Sequence, residues 1–297
     1  MIDRIVNTKN KEEADVVLIS APYEHSVSFM GGTAKAPARI LSCLDNNLEL
    51  FNVELHCEPA KKIKTAHVEI NLKKLPPQKA LKKISAEYQK LLQNKKFPIM
   101  LGGEHTVSYG ALEAIAKEEN PKNITVVQID AHQDLRDDNS DYSEKKEKFA
   151  HSCVMRRIHE LGFPIVQVGI RTYSKYEYEY WQKNKKTITV FEWNERTPRI
   201  PTMSEIIKSI KTEKVYISVD VDGFDPAHMP GTGTPVQGGL GWHYGLNMIE
   251  RILEEKNAIG ADIVEVSPQH DSVLTEFGAA LICYRMMAHK FKNRFKK

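Results

Sequence analysis

The chain has 297 residues and a mass of 33.8 kDa, enough to bury one large core, and we expect a single domain over residues 1–297. Its 42 basic and 39 acidic residues nearly balance, which argues against a dedicated nucleic-acid-binding protein. The four cysteines are scattered, no apolar run approaches the ~18 residues of a membrane span, and the start lacks a signal-peptide pattern, so we expect a cytoplasmic protein without a membrane partner.

Strand-like and helix-like segments alternate along the chain, which is typical of a parallel sheet covered by helices. The predicted strands are Asp15–Ser20, Glu49–Leu55, Pro98–Leu101, Ile124–Ile129, Pro164–Gly169, Thr187–Phe191, Val215–Val219 and a last one from Ile259. The predicted helices are Ala36–Leu44, 78–94, 106–119, 151–161 and a terminal helix from about Ser272.

Five further segments carry expectations of their own. We expect 56–77 to be an exposed excursion, 135–148 a mobile polar rim, and the aromatic residues of Tyr173–Trp181 a helix face packed on the core. The terminal helix should pack Leu274, Phe277, Leu281 and Met286, and the basic stretch Lys290–Lys297 should be a frayed, solvated helix end.

Metal-binding side chains follow the predicted strand Ile124–Ile129. Asp130, His132 and Asp134 stand at every second position. Because alternate side chains of an extended backbone project from the same face, all three can turn toward one point beyond the strand end. This spacing indicates a metal site.

Two other strand ends repeat the arrangement. Asp220 and Asp222 close the strand Val215–Val219, and His105 follows Pro98–Leu101 after two glycines that permit a tight turn. Any one of these stretches alone is more often a turn or a helix cap than a ligand set. An open parallel sheet, however, gathers the carboxyl ends of its strands in one crevice, where four carboxylates would repel each other strongly without cations. The recurrence therefore favours two divalent cations at this edge.

Six motifs follow one another in order along the chain. They are Gly102–His105, Asp130–Arg136, His151–Arg157, Ser218–Pro226, Pro230–Gly239 and Glu265–Asp271. Each would be weak evidence alone, but the ordered set is highly specific. It resembles the ureohydrolase (arginase and agmatinase) family along nearly the whole chain, and the agmatinases most.

This resemblance implies an arginase-like three-layer α/β/α fold with a mainly parallel sheet of about eight strands. It also implies two Mn²⁺ ions per subunit, bound by His105, Asp130, His132, Asp134, Asp220 and Asp222. Carboxylates and imidazoles without a thiolate suit Mn²⁺, although Zn²⁺ and Ni²⁺ bind such ligands more tightly, so the metal depends on supply and geometry. Two cations about 3.5–4 Å apart can share a water and hold it as a bridging hydroxide that attacks the guanidinium carbon.

The resemblance also implies catalytic and substrate-binding roles. His151 matches the family's catalytic histidine, which can pass a proton to the departing amine. Glu265 matches a guanidinium-binding glutamate, and a structural ion pair with a neighbouring arginine is its alternative. Asp134 could hydrogen-bond the tetrahedral intermediate in addition to binding metal. We expect Asp271 to cap the last helix.

Arg136 bears on the choice of substrate, because arginases typically carry an asparagine at that position. Agmatine ends in an ammonium group, and Asp137, Asp138 and Asp141 could supply a favourable negative field. If Arg136 points into the pocket, it favours a carboxylate-tailed substrate such as 4-guanidinobutyrate. If it pairs with a neighbouring aspartate, it is neutral to that choice.

These patterns predict a hydrolase that converts agmatine to putrescine and urea in polyamine synthesis, without a nucleic-acid partner. Family members commonly assemble into trimers or hexamers, so we expect a homo-oligomer. One alternative is another guanidino hydrolase, either a 4-guanidinobutyrase or an arginase. Another is a non-catalytic protein that captures a guanidino ligand at its metals, against which the presence of both His151 and Glu265 argues.

Overall fold

Eight strands form the centre of the computed structural model, which describes residues 4–195, 197, 199–268 and 272–295. They are β1 (Val16–Ala21), β2 (Thr65–Glu69), β3 (Phe97–Gly102), β4 (Ile124–Ile129), β5 (Ile165–Ile170), β6 (Ile188–Glu192), β7 (Lys214–Asp220) and β8 (Asn257–Val264). Their order across the sheet is β2-β1-β3-β8-β7-β4-β5-β6, and neighbouring strands pair in parallel.

Helices cover both faces of this sheet. They are α1 (Ala36–Asn46), α2 (Pro77–Gln93), α3 (Val107–Glu118), α4 (Val154–Glu160), α5 (Lys175–Lys183), α6 (Met203–Ser209), α7 (Trp242–Glu255) and α8 (Leu274–Lys290). Helices α1, α6, α7 and α8 share one hydrophobic cluster with the sheet, whereas α2, α3 and α4 share the other. Successive residues of β1 alternate between the two clusters, with Leu18 in the first and Val17 in the second. The predicted three-layer α/β/α architecture is confirmed. Among the described residues, no helix combines the length and apolarity needed to cross a membrane.

The four central strands bring the predicted site residues to one edge. In strands β4 and β7 nearly every side chain is buried, as expected where helices cover both faces of a parallel sheet. The register is nearly level at their carboxyl ends, with Ile129 opposite Val219 and Asp220 opposite Val264. The residues that follow β3, β8, β7 and β4 therefore emerge side by side.

Two predictions about the segment between α1 and α2 are wrong. Residues 49–55 form turns, in which the Asn52 side chain accepts the Leu55 amide and Asn52 bridges Cys57. The expected excursion 56–77 contains β2, an edge strand whose one partner among the described strands is β1. Its sequence, Thr-Ala-His-Val-Glu, lacks a long apolar run because an edge strand is only partly buried.

The segment 135–148 is a polar rim that is exposed or half-buried apart from two buried residues. Leu135 is buried in the core. Asn139 is also buried, where its amide donates to the Glu147 carbonyl and its side chain accepts the Glu147 amide. The segment thus closes on itself through its own polar groups.

The aromatic residues of α5 only partly face the core. Tyr176 and Tyr178 are exposed, whereas Tyr180 and Trp181 pack against the cluster below. Tyr178 stacks at the surface on Tyr173, so this part of the prediction is wrong.

The terminal helix α8 also differs in part from expectation. Leu274 and Phe277 are exposed, Leu281 is half-buried and Met286 is fully buried, because small residues such as Gly278 and Ala279 form the inner face near the helix start. The end of the chain is docked as far as the described residues go. Phe291 and Phe295 pack on the core, and Arg294 pairs with Asp15.

Candidate active site

The turn after β4 is fixed by its own polar groups. Asp130 Oδ1 accepts the His132 backbone amide at 2.6 Å, and its Oδ2 accepts Gln128 Nε2 at 2.6 Å. Asp134 has a φ of 53°, a left-handed conformation that is uncommon for a residue other than glycine. Strain of this kind costs roughly 1–3 kcal/mol and is typical of functional sites.

Two groups of possible metal ligands meet at this edge. The first comprises His105, Asp130 and Asp134, and the second comprises Asp130, His132 and Asp222. Within each group the candidate ligand atoms lie within 4.8 Å of one another. Asp130 belongs to both groups, so the arrangement fits two cations that share a carboxylate.

The distances centre on the two imidazoles. His105 Nδ1 lies 3.2 Å from Asp130, 3.0 Å from Asp134 and 3.4 Å from Asp220. His132 Nδ1 lies 3.0 Å from Asp222 and 3.5 Å from Asp130. Asp220 thereby adjoins the first group. All six residues predicted as ligands lie together.

The charges in this cluster are balanced by protons. Burial opposes protonation of His105, but the closeness of the three carboxylates Asp130, Asp134 and Asp220 outweighs it and raises the pKa of His105 well above the ordinary value. Burial together with the Asp130 charge raises the pKa of Asp134 to about 7, and burial raises that of Asp220 well above its usual range. Without a cation, protons therefore neutralise carboxylate charges that bound cations would otherwise neutralise. The donor set fits hard divalent cations, since His105 Nδ1 is buried without a hydrogen-bond partner and none of the grouped ligands is a thiolate.

A buried chain of hydrogen bonds orients His105. Its Nε2 contacts Ser218 Oγ at 2.8 Å, and Ser218 donates to Asp262 Oδ1 at 2.7 Å, while Tyr216 donates to the other oxygen of Asp262. Because Ser218 gives its single proton to the carboxylate, it must accept from His105 Nε2–H, and in the neutral ring Nδ1 then carries the free lone pair that a cation would use. Sequence reasoning missed Asp262, although a lone acidic residue inside the apolar strand β8 was a usable signal.

Arg171 clamps two loops of the site and was also missed. Its guanidinium donates to the backbone carbonyls of Asp222, at 2.6 Å, and Val236, at 2.6 Å, as well as to Gly169 and neighbouring carbonyls. It directly follows β5, so its place at the carboxyl edge was readable from the sequence. A planar fork of donors suits such a set of carbonyls.

Glu265 emerges from the central strand β8 beside His105. Its Oε1 accepts the His105 amide at 2.6 Å, its own amide donates to Gly103, and its φ of 61° is left-handed. Burial raises its pKa well above the usual range. In the part of the chain that the structure describes, no lysine, arginine or histidine side chain forms an ion pair with Glu265, so the alternative of a structural pair with an arginine is not found there.

Glycine at position 103 is required by close packing. A Cβ atom there would overlap the backbone carbonyl of Tyr23, so the glycine allows this close approach in addition to the predicted tight turn. This approach ties β3 to the loop after β1, because the Gly103 and Glu104 amides donate to the Ala21 and Tyr23 carbonyls.

His151 stands across the site at the start of a 3₁₀ turn that leads into α4. Its Nδ1 lies 3.0 Å from Ser26 Oγ, its Nε2 lies 3.2 Å from Ser28 Oγ, and the Tyr142 ring packs at 5.9 Å between centroids. Burial lowers its pKa, while the nearby Glu104 charge acts in the opposite direction. A neutral imidazole in this position can take up and release one proton.

The acidic residues of the rim are neutralised. Asp137 pairs with Arg157, Asp138 pairs with Lys146, and Asp141 pairs with Arg136. Arg136 additionally approaches Glu177 at 3.7 Å and lies over the Tyr142 ring. The expectation of a free negative field from these aspartates is therefore wrong, and Arg136 adopts the paired arrangement that leaves it neutral toward the substrate tail.

Comparison with known proteins identifies the family. The family model described as "Arginase family" matches residues 14–289. The chain belongs to the arginase family. The family resemblance predicted from the ordered motifs is confirmed.

Two curated relatives and one solved structure narrow this further. An N(1)-aminopropylagmatine ureohydrolase from Synechocystis is 34% identical over 290 residues, covering 96% of this chain and 92% of that protein. An agmatinase from Bacillus subtilis is 34% identical over 263 residues, covering 88% and 86%. The structure of agmatine ureohydrolase from Thermoplasma volcanium superimposes with a TM-score of 0.84 at 28% identity, covering 99% and 96%. The arginase-family chain is an agmatinase-like ureohydrolase, a hydrolase of guanidino carbon–nitrogen bonds.

The predicted helix cap at Asp271 is not tested by the structure. Asp271 lies outside the described residues, and α8 begins at Leu274.

Proposed function

We propose that this chain is a two-manganese hydrolase that converts agmatine and water to putrescine and urea. Two observations carry the proposal. Two groups of possible metal ligands share Asp130, and the buried carboxylate of Glu265 lies beside them without an ion pair to a lysine, arginine or histidine side chain among the described residues. A planar guanidinium supplies the missing charge with several N–H donors in a fork that suits a carboxylate.

The residues that would hold the metals are His105, Asp130, His132, Asp134, Asp220 and Asp222. Bound Mn²⁺ would lower the pKa of a water molecule and so supply a nucleophile near neutral pH. The chain itself would fix the geometry, with His105 oriented by Ser218 and the Asp222 loop held by Arg171.

Three residues would act on the substrate. Glu265 would bind the guanidinium and hold its central carbon toward the ligand groups. Asp134 would accept a hydrogen bond from a guanidino nitrogen as that carbon becomes tetrahedral. His151 would deliver a proton to the departing amine, because the reaction adds the water oxygen to carbon and transfers both water protons to the amine nitrogen.

A second candidate substrate is N1-aminopropylagmatine. The Synechocystis relative named for it aligns over more of this chain, 96% against 88%, than the Bacillus subtilis agmatinase does. The tail of N1-aminopropylagmatine carries an additional amine. Arg136 on the rim is ion-paired, so it is not an unpaired cation that would repel this amine, and the aspartates at positions 137, 138 and 141 are paired as well.

The experiment is urea release from the manganese-loaded protein, compared as kcat/KM for agmatine, N1-aminopropylagmatine, arginine and 4-guanidinobutyrate. We expect one of the two amine-tailed substrates to exceed the others by at least about tenfold, because relatives that match this chain along most of its length are named for these two substrates. A preference for 4-guanidinobutyrate or arginine would overturn the substrate and retain the hydrolase. No urea from any substrate, with two metals bound, would support the non-catalytic alternative.

The number of subunits is proposed from the resemblance to the family, whose members commonly form trimers or hexamers. We expect trimers or hexamers, and size-exclusion chromatography with light scattering measures the mass against the 33.8 kDa subunit. A monomer at micromolar concentration would contradict this.

A further inference from the structure

Glu104 is a buried carboxylate surrounded by hydrogen-bond donors. Its Oε2 accepts the backbone amides of His25 at 2.6 Å and Ser26 at 2.7 Å. Its Oε1 faces the hydroxyls of Ser26 at 3.0 Å and Thr106 at 2.7 Å. A carboxylate only accepts, so each of these contacts uses a proton from its neighbour.

Ser26 joins this carboxylate to the imidazole of His151. Its Oγ contacts Glu104 Oε1, the His151 backbone amide at 2.9 Å and His151 Nδ1 at 3.0 Å. A hydroxyl has one proton and two lone pairs. Because the proton goes to Glu104, both lone pairs must accept, one from the His151 amide and one from Nδ1–H.

We propose that Ser26 and Glu104 are positioning residues that hold His151 in the tautomer with a proton on Nδ1. Nε2 then carries the free lone pair and is the atom that exchanges a proton with the substrate. The inference rests on the role of His151 in the proposed function. It follows the logic by which a buried carboxylate fixes the tautomer of a catalytic histidine, here through an intervening hydroxyl.

The surroundings of the ring are consistent with exchange at Nε2. Nε2 faces Ser28 Oγ at 3.2 Å on the more exposed side, whereas Nδ1 faces Ser26, whose side chain is buried. The Tyr142 ring packs beside the imidazole, and its hydroxyl contacts Ser152 Oγ at 2.6 Å. The ring is thus held on two sides.

A purely structural role for the same contacts predicts a different result. Glu104 also ties the loop after β1 to the end of β3, so loss of Ser26 could act by loosening that loop. A loosened loop would reduce activity whether or not His151 is present. A positioning role requires that the effect of Ser26 vanish when His151 is removed.

The test is a double-mutant cycle on the manganese-loaded protein, with Ser26→Ala, His151→Phe and the double variant. We expect Ser26→Ala to lower kcat by about 10- to 100-fold with little change in KM, the usual effect of losing an outer partner of a catalytic group. In the His151→Phe background the same substitution should change nothing further. Ser26→Thr keeps a hydroxyl and should restore most of the rate, and Ser209→Ala in α6 serves as the matched control.

Additive losses, or an unchanged kcat for Ser26→Ala, would overturn the inference while leaving the proposed hydrolase intact. A normal rate for His151→Phe would instead overturn the role of His151 in the proposed function, and the inference with it. Manganese content is measured for each variant, and it should stay at the wild-type level.

A second readout does not depend on turnover. NMR of histidine labelled with ¹⁵N, on protein loaded with diamagnetic Zn²⁺, distinguishes protonated from unprotonated ring nitrogens, and the His151→Phe spectrum assigns the signals of His151. We expect protonated Nδ1 and unprotonated Nε2 in the neutral ring, with the other tautomer gaining population in Ser26→Ala. A wild-type ring protonated on Nε2 would overturn the inference, even if no substrate is turned over.

Discussion

Asp130 contributes to both groups of candidate metal ligands, so its loss should disturb two sites at once. His132, in contrast, belongs to only one group. We expect Asp130→Ala to bind less than one Mn²⁺ per subunit and His132→Ala to retain about one, because the latter leaves His105 and Asp134 in place. Metal analysis after gel filtration measures both against the wild-type protein.

Equal stoichiometries in the two variants would contradict a shared carboxylate. Asp225→Ala is a suitable control, since this nearby aspartate accepts loop amides and belongs to neither group.

Glu265 should be needed for the substrate and not for the metals. In Glu265→Gln the side-chain oxygen can still accept the His105 amide, so the fold of the turn should persist. Only the charge is lost, and an unpaired buried guanidinium costs several kcal/mol. We expect kcat/KM for the guanidino substrate to fall by about two to three orders of magnitude with unchanged manganese content. A variant with normal kcat/KM would remove Glu265 from the site.

At this scale, the sequence predicts residues that act through local spacing. Asp130, His132 and Asp134 are found at alternate positions after a strand, and this pattern needs no knowledge of the tertiary fold. Ser26 contacts Glu104 and His151 across 78 and 125 residues of chain. No local pattern marks such a contact, because it exists only after β1, β3 and the turn before α4 have assembled.

Among the structural elements, the loop that carries Asp222 depends on a residue of another strand. Arg171 donates to the carbonyls of Asp222 and Val236, so it joins the loop after β7 to the 236–237 segment. Lysine lacks the planar fork and would leave several carbonyls without a donor. We expect Arg171→Lys to lower the free energy of unfolding by about 1–3 kcal/mol and to weaken manganese binding by about 10- to 100-fold.

Arg199→Lys is the matched control for this prediction. Arg199 pairs with Glu205 at the surface, where solvent screening leaves an ion pair with little effect on stability. Denaturant unfolding and manganese titration measure both variants. Equal effects at the two positions would show that Arg171 does not organise the site.

The strands show how burial limits prediction at this scale. Central strands such as β4 and β7 are covered on both faces, so their sequences are continuous apolar runs that are readily recognised. The edge strand β2 pairs on one side only and tolerates His67 and Glu69, so its pattern is not distinctive. Conversely, Leu50 and Phe51 lie in an apolar stretch that forms turns, because Asn52 accepts the Leu55 amide locally.

For the whole molecule, the ligand cluster is a place where like charges repel one another and lower the stability of the fold. Four carboxylates and two imidazoles lie close together in the centre of the sheet edge, and burial raises the pKa of Asp220. Cations that bind the folded chain relieve this repulsion and do not bind the unfolded chain equally well. Saturating Mn²⁺ at 1,000 times its Kd adds about 4 kcal/mol, so we expect Tm to rise by roughly 5–15 °C, measured by calorimetry with and without a chelator. An unchanged Tm would contradict binding at this cluster.

The stabilisation by Mn²⁺ should itself depend on pH. Without a cation the folded chain holds a proton on Asp134, whose pKa is raised to about 7 from an ordinary value near 3.8, and on His105, whose pKa is also raised. Metal binding must displace these protons, so protons compete with the cation below their folded-state pKa values. Raising the pH from 6 to 8 crosses the titration of Asp134, and this group alone should increase the manganese affinity by about tenfold.

The measurement is the manganese-induced change in Tm at one fixed, subsaturating Mn²⁺ concentration, compared at pH 6.0 and pH 7.5. We expect the larger shift at the higher pH, because the metal-free chain loses stability as its buried carboxylates ionise while the metal-bound chain requires them ionised. Calorimetric titration in two buffers of different ionisation enthalpy should show protons released on binding. A shift that is equal at both pH values, with no proton release, would mean that the ligand cluster is already ionised without a cation.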